Sequence, residues 1–279
     1  MKIDGRAISS EILSKLKEKV AKLKAKGINP VLAIILMGDN QASAIYVRQK
    51  GIKAKEIGAE VKVFPLKENE TNQETEKLVK KLDSDSKIHG IIIQRPAPKN
   101  VDANSLTELI SPEKEVDGFG SSSKYPVPVA EAVLLMLRGV YEKTKTNGPF
   151  SDWLKFKKIV VIGKGETAGR PITELLREYE LAPTVIDSHT KNKEELIKKA
   201  DIVISAVGKK VLTSSNIKKG VILIGVGLYS DSQGKLRGDY DDEDVAGKVS
   251  FYSPTPGGVG PVNVACLMQN LVKAAQKSS

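Results

Sequence analysis

The sequence predicts an α/β protein made of two open α/β sheets, and three observations carry that expectation. Short, continuous apolar runs recur along the chain, among them "PVLAIILMG", "IHGIIIQRP", "KKIVVIG" and "GVILIGVG". Runs of this length and purity are strands buried on both faces. Stretches with apolar residues every three or four positions separate them, so strand and helix alternate and the sheets are parallel. Partway along, a Ser-rich patch and two prolines interrupt the alternation, which then starts afresh.

The elements follow in order. Ile8 to Lys26 repeats apolar residues at helical spacing and stops at Gly27. "PVLAIILMG" is a buried strand ending at Gly38, Ser43 to Ile57 reads as helix, "AEVKVFPL" as strand and Asn72 to Leu82 as helix. "IHGIIIQRP" is a further buried strand. A helix follows within "PVPVAEAVLLMLRGV", and "KTKTNGPFSDW" reads as an exposed connection. The second series opens at "KKIVVIGKGETAGRPITELLREY", and "APTVIDS", "ADIVISAVG" and "GVILIGVG" supply its other buried strands. Val262 to Lys277 is helical again and is expected to fold back on the first domain. The expected domains are 1–128 with 261–279, and 129–260, with a cleft between them.

Composition bounds the function. A chain of 279 residues, 40% apolar with mixed charge, can bury a proper core. No apolar run approaches the ~20 residues of a membrane span, so a soluble, cytoplasmic protein with no membrane partner is expected. The single cysteine, Cys266, cannot form an internal disulfide, and His89 and His189 form no cluster with zinc-ligand spacing, so no metal is expected. The formal charge of +10 favours anionic partners without choosing among them. Its lysines lie mostly in helical stretches such as "EKLVKKL", as on solvated faces, and aromatics make up 5% of the chain. No nucleic-acid partner is expected.

"VVIGKGETAG" places Gly163, Gly165 and Ala168 in the G-x-G-x-x-A arrangement between a strand and a helix. The first glycine permits a tight turn, the second lets backbone approach a pyrophosphate, and the small third residue lets helix pack on strand. Helix-terminal N–H groups then hold the anion. The second domain is therefore expected to be Rossmann-like and to bind a dinucleotide. Asp187 ends the next strand, near where an acid about 20 residues on binds the ribose hydroxyls of NAD. Lys164, with Ser188 and His189, could instead hold the extra phosphate of NADP, and Asp187 could simply cap a turn. The residues leave the two coenzymes open.

Within "YVRQK", Tyr46 and Lys50 are i and i+4 on one helix face and so could reach one ligand, although such pairs are common on wet helices. Gln94 ends a buried strand, and Asp117 precedes Gly118 in a turn; by themselves each has a structural use.

Taken with "IDGRAIS", "GDNQASAIYVRQKGIKAKEIG", "GIIIQRP", "PEKEVDGF", "GKGETAGRP" and "SPTPGGVGPVNVACLMQN", these residues resemble the bifunctional methylenetetrahydrofolate dehydrogenase/methenyltetrahydrofolate cyclohydrolases nearly end to end. The resemblance implies oxidation of methylenetetrahydrofolate with NADP, NAD being the alternative, followed by hydrolysis to 10-formyltetrahydrofolate. It also implies a homodimer. By its motifs, Tyr46 packs on the folate rings, Lys50 acts in proton transfer, Gln94 hydrogen-bonds the lysine and Asp117 binds the pterin. Pro256, Gly257 and Gly258 form a loop over the substrate, while Gly163, Lys164, Gly165, Ala168, Asp187, Ser188 and Leu228 face the coenzyme.

Chemistry supports these roles. Water attack on a methenyl carbon needs a proton acceptor near neutral pH, and a free lysine at about 10.4 is too basic. Desolvation beside a neutral acceptor such as Gln94 lowers it. A carboxylate at Asp117 suits the amino and ring N–H donors of a pterin. The chain also departs from the family. Gly163-Lys164-Gly165 replaces Gly-Arg-Ser, Asp187 is acidic where the family is not, Pro126-Val127-Pro128-Val129 replaces Pro-Cys-Thr-Pro, and Asn263 and Gly225 replace threonine and aspartate. The competing readings are a nicotinamide-dependent dehydrogenase of another small molecule and a non-enzymatic nucleotide or nucleic-acid binder.

Overall fold

The computed structural model describes residues 1–67, 71–98, 100–144 and 146–278, with backbone alone at 41 and 42. The chain divides into two compact units, the first Ser9–Pro128 with Val264–Ser279, the second Met1–Ile8 with Val129–Asn263. In chain order the elements are α1 (Gly5–Lys24), β1 (Val31–Met37), α2 (Gln41–Ile57), β2 (Glu60–Leu66), α3 (Asn72–Ser84), β3 (Gly90–Ile93) and α4 (Ala103–Thr107). They continue with α5 (Pro128–Thr144), α6 (Phe150–Lys155), β4 (Ile159–Ile162), α7 (Gly169–Glu178), β5 (Thr184–Ile186), α8 (Lys193–Lys199) and β6 (Ile202–Ser205). The last are β7 (Ile222–Gly225), β8 (Leu228–Ser230), β9 (Leu236–Gly238), α9 (Asp242–Ala246), β10 (Phe251–Tyr252) and α10 (Val259–Lys277).

In the first unit β1 lies between β2 and β3 in a parallel sheet, with Ile35 opposite both Phe64 and Ile93. A middle strand is covered on both faces, which is why "VLAIILM" is apolar without alternation. Successive side chains of β1 point to opposite faces. Leu32 and Ile34 join Leu13, Leu16, Ala54, Ile57, Met268 and Leu271 of α1, α2 and α10. Ala33 and Ile35 join Val79, Leu82 and Leu106 of α3 and α4. Each fully buried Leu or Ile contributes about 1.5–3 kcal/mol. Cys266 and Met268 are buried as ordinary packing residues.

The second unit holds a five-stranded parallel sheet in the order β10-β7-β6-β4-β5, and β8 and β9 form an antiparallel hairpin. Within this sheet β5 is an edge strand with Thr184 exposed, so "APTVIDS" is not buried as its composition suggests. "KTKTNGPFSDW" also differs from its reading as an exposed connection. It runs into α6, whose Phe150 and Trp153 are buried against Tyr141 with ring centroids 5.6 and 5.8 Å away. A six-residue helix is too short to show a period, yet its aromatic rings bury large areas. Lys145 of this stretch lies outside the described residues.

Met1–Ile8 group with the second unit, not with 9–128 as expected, because they pair with β10: Ile3 N–H donates to the Tyr252 carbonyl at 2.8 Å and Tyr252 N–H to that of Met1 at 3.0 Å. Residues 261–263, the early turns of α10, group there too. Among the described residues no helix is long and apolar enough to cross a membrane, and no three His, Cys, Asp or Glu are grouped to hold a metal.

Candidate active site

The first unit gathers Lys50, Gln94 and Asp117 at the carboxyl ends of β1 and β3. Helix α2 starts at Asn40, whose side chain accepts the Ser43 N–H at 3.0 Å, and ends at Gly58 in the left-handed conformation. Its buried face is Ser43, Val47, Lys50, Ala54 and Ile57, a helical stripe with a lysine where an apolar residue would ordinarily stand. Lys50 is only 8% exposed, and its Nζ donates to Gln94 Oε1 at 2.9 Å. Gln94 is held there because its N–H donates to the Ile35 carbonyl at 2.9 Å. Its Nε2 donates to the Arg95 carbonyl at 2.7 Å, which leaves Oε1 as the end that faces the lysine.

Asp117 arrives by a long-range route. Ile91 N–H donates to the Lys114 carbonyl at 2.7 Å and Glu115 bridges Ile91 in parallel, so the segment before Asp117 runs alongside β3. The buried Glu115 carboxylate accepts the N–H groups of Asp117, Gly118 and Gly120 at 3.1, 3.0 and 3.3 Å. From α10, the buried Asn270 amide donates to the carbonyls of Val116 and Pro126, both at 3.0 Å. Thus three residues of turn are pinned from inside. The sequence reading missed Glu115 and Asn270, although both stand in its quoted motifs. It also missed Ser43, whose hydroxyl is buried with no hydrogen-bond partner among the described residues.

The electrostatics favour neutral forms. Burial pushes the Lys50 amine below its ordinary range, and the charge of Asp117 only partly restores it. Burial likewise pushes the Asp117 carboxyl up against the opposing effects of Lys50 and Arg95. Glu115 is raised by burial and then by Asp117. The Arg95 guanidinium lies 4.7 Å from the centre of the Phe119 ring. Tyr46, half-buried one turn before Lys50, has its phenol pushed up by burial and stays protonated. A lysine held toward its free-amine form beside a neutral acceptor can take and return a proton.

Pro256, Gly257 and Gly258 belong to the second unit, in the turn between β10 and α10. The residues expected at the coenzyme also lie in this unit, all but Leu228 following the carboxyl ends of β4 and β5. Gly163 follows β4 with φ +97°, and a Cβ there would lie 2.6 Å from the Ala206 carbonyl oxygen. Lys164 Nζ and Asp187 Oδ2, from adjacent strand ends, are 2.6 Å apart. Ser188 is exposed beside Asp187, and Leu228 begins β8, half-buried.

Three observations fit this loop to a dinucleotide. Space opposite Gly165 is open, α7 has no side-chain cap on its first N–H groups, and its start lies against the turn. One assignment changes. The residue that permits helix to pack on strand is Gly169, where a Cβ would lie 2.1 Å from the Gly163 carbonyl oxygen; Ala168, given that role from its spacing, stands half-buried before the helix.

Comparison with known proteins gives matches over both units. A family model described as the tetrahydrofolate dehydrogenase/cyclohydrolase catalytic domain matches residues 3–117, and one described as the NAD(P)-binding domain of the same family matches 149–279. The chain is 37% identical to the bifunctional protein FolD of Agathobacter rectalis, over 99% of both chains. It is similar to the crystal structure of the bifunctional FolD dehydrogenase/cyclohydrolase from Campylobacter jejuni, with 36% identity, TM-score 0.90 and 99% of each chain covered. It is also similar to the Trypanosoma brucei dehydrogenase-cyclohydrolase complexed with NADP and an inhibitor, with 30% identity and TM-score 0.90 over 100% of this chain and 98% of that one.

Proposed function

The chain belongs to the tetrahydrofolate dehydrogenase/cyclohydrolase family, and from that premise we propose that it oxidises 5,10-methylenetetrahydrofolate to 5,10-methenyltetrahydrofolate with NADP and hydrolyses the product to 10-formyltetrahydrofolate. The observation that carries the chemistry is the buried contact of Lys50 Nζ with Gln94 Oε1 at 2.9 Å. Hydride transfer between two ring systems is chiefly positioning, and Tyr46 packs on the folate rings while Asp117 accepts from the pterin donors. The bound coenzyme supplies the hydride acceptor. The loop Gly163-Lys164-Gly165 and the start of α7 hold its pyrophosphate, with Asp187, Ser188 and Leu228 along the rest.

In the hydrolysis, Lys50 takes a proton from the water that attacks the methenyl carbon and returns one as the ring C–N bond opens. Gln94 accepts from the amine without adding the negative charge that would raise its pKa. Pro256, Gly257 and Gly258 contribute a loop to the folate. A cytoplasmic homodimer completes this reading; light scattering on the purified protein that gave a monomer would remove the dimer from it.

The direct test is to mix purified protein with methylenetetrahydrofolate and NADP, and separately NAD, while following methenyl absorbance. Its rise and then decay to the formyl product is expected. No methenyl formation with either coenzyme rejects the proposal.

A further inference from the structure

The Lys164 and Asp187 side chains, which the sequence left pulling toward different coenzymes, are joined in one ion pair. Their meeting follows from the sheet. β4 and β5 are hydrogen-bonded neighbours with Ile162 opposite Ile186, and Gly163 N–H donates to the Ile186 carbonyl at 2.8 Å. Asp187 is therefore the first residue past β5, and Lys164, one beyond the bonded Gly163, is the second past β4.

The two halves differ in how they are held. Asp187 Oδ1 accepts the His189 N–H at 2.9 Å and the Thr190 hydroxyl at 3.0 Å, and Thr190 Oγ1 also accepts the Asp187 N–H at 3.0 Å. The carboxylate is thus fixed by its own turn, and Lys164 together with these donors holds it well below the usual carboxylate range. It remains an anion at any working pH. Lys164 is 69% exposed on a flexible stem, so it is the half that can move.

Resting on the proposed nicotinamide coenzyme, we propose that the Lys164–Asp187 pair is the coenzyme selector of this chain, and that it narrows discrimination so that NADP and NAD are both taken. With NAD, Asp187 accepts from the ribose hydroxyls while still paired. With NADP, Lys164 turns from the carboxylate to the 2′-phosphate, and the immobile Asp187 stays beside that phosphate and opposes it. One positive and one negative charge face the 2′ position. A lone cation there would favour NADP strongly, and a lone acid NAD. Ser188 and His189, exposed alongside, add polar donors that suit either ribose.

The adenosine half alone tests this by calorimetry at low ionic strength, with adenosine 2′,5′-bisphosphate and adenosine 5′-monophosphate as probes and no turnover. The full-length protein is expected to bind the two within about tenfold of each other. Asp187→Asn, which keeps an acceptor for His189 N–H but loses the charge, is expected to raise bisphosphate affinity about three- to tenfold and to weaken the monophosphate, whose ribose hydroxyls lose their carboxylate acceptor. Lys164→Met is expected to weaken the bisphosphate about tenfold and the monophosphate less than twofold. The ratio of kcat/KM for NADP and NAD is expected to move in the same directions. Discrimination beyond a hundredfold in the unmodified chain, or variants that shift both probes alike, overturns the selector. Tight, shifting adenosine binding without methenyl formation supports the selector and instead sinks the proposed reaction.

Discussion

Lys50→Met replaces a buried ammonium by an apolar side chain of similar length, and the structure sets opposite signs for its effects on stability and activity. In the unmodified chain the amine has left water almost completely, with one neutral acceptor at 2.9 Å. Desolvating such an ion costs several kcal/mol, and a charge-assisted hydrogen bond returns about 1.5–3 kcal/mol. Burial outweighs Asp117 in the balance that lowers the Lys50 pKa, so the buried charge is a net expense to the fold. Methionine removes it but leaves Gln94 Oε1 without a donor, a loss of about 1–3 kcal/mol, and deprives Asp117 of a counter-charge. The expected net is a gain of about 1–2 kcal/mol at pH 7, or roughly 2–4 °C in Tm per kcal/mol for a protein of this size.

The pH dependence identifies the cause. Because the native pKa of Lys50 lies below its unfolded value, at pH values between the two the unfolded chain holds a proton that the folded chain has released. Stability of the unmodified protein therefore rises with pH through that window, and the advantage of methionine, flat at lower pH, shrinks and turns into a deficit near the ordinary lysine value of about 10.4, where the neutral amine still donates to Gln94 and methionine does not. Denaturant titrations from pH 6 to pH 10 measure this directly. Methenyl hydrolysis is expected to fall about 10²- to 10⁴-fold, while coenzyme affinity stays within twofold because Lys50 and the coenzyme loop belong to different units. A variant that is less stable by the same amount at every pH would show the amine to be a favourable cation. Hydrolysis retained within tenfold would remove Lys50 from proton transfer.

Glu115→Ala strips three N–H groups of their acceptor and is expected to destabilise by about 3 kcal/mol and raise the KM for the folate at least tenfold; an unchanged KM would show that Asp117 holds its place unaided. Asn270→Leu leaves two carbonyls unpaired and is expected to lower stability by about 2–3 kcal/mol in chemical unfolding, a loss below 0.5 kcal/mol contradicting the bonds to Val116 and Pro126. Gly169→Ala would put a methyl group 2.1 Å from the Gly163 carbonyl oxygen, so coenzyme binding should weaken more than tenfold while methenyl hydrolysis continues. Equal loss of both activities would mean that this glycine supports more than the coenzyme loop.

Much of the fold is legible because its signals are local. The middle strands β1, β6 and β7 are covered on both faces and read as uninterrupted apolar runs, and helices declare their buried stripe. What failed to read was set by position in a sheet or by rings in a short helix. β5 has the composition of an inner strand but sits at the edge, and Met1–Ile8 owe their place to β10, some 250 residues away in the chain.

The site divides along the same line. Lys50 is singled out only by the resemblance, since a lysine four residues after a tyrosine fits a solvated helix face equally well and its place on the buried stripe of α2 shows only in the structure. Gln94 is visible as the polar residue that ends a buried strand. That Asp117 stands near Lys50 is not visible, because it depends on residues 114–115 pairing with Ile91 and on Asn270 reaching back from the last helix. Lys164 and Asp187 follow the same logic: each can be read as a coenzyme ligand alone, with contradictory results, until neighbouring strands make them one neutral pair. Periodicity can report which face of an element is dry. Charges at strand ends have no period, so their meaning is fixed by whatever the next strand brings beside them, and there the physical argument must pass through the sheet order before it reaches function.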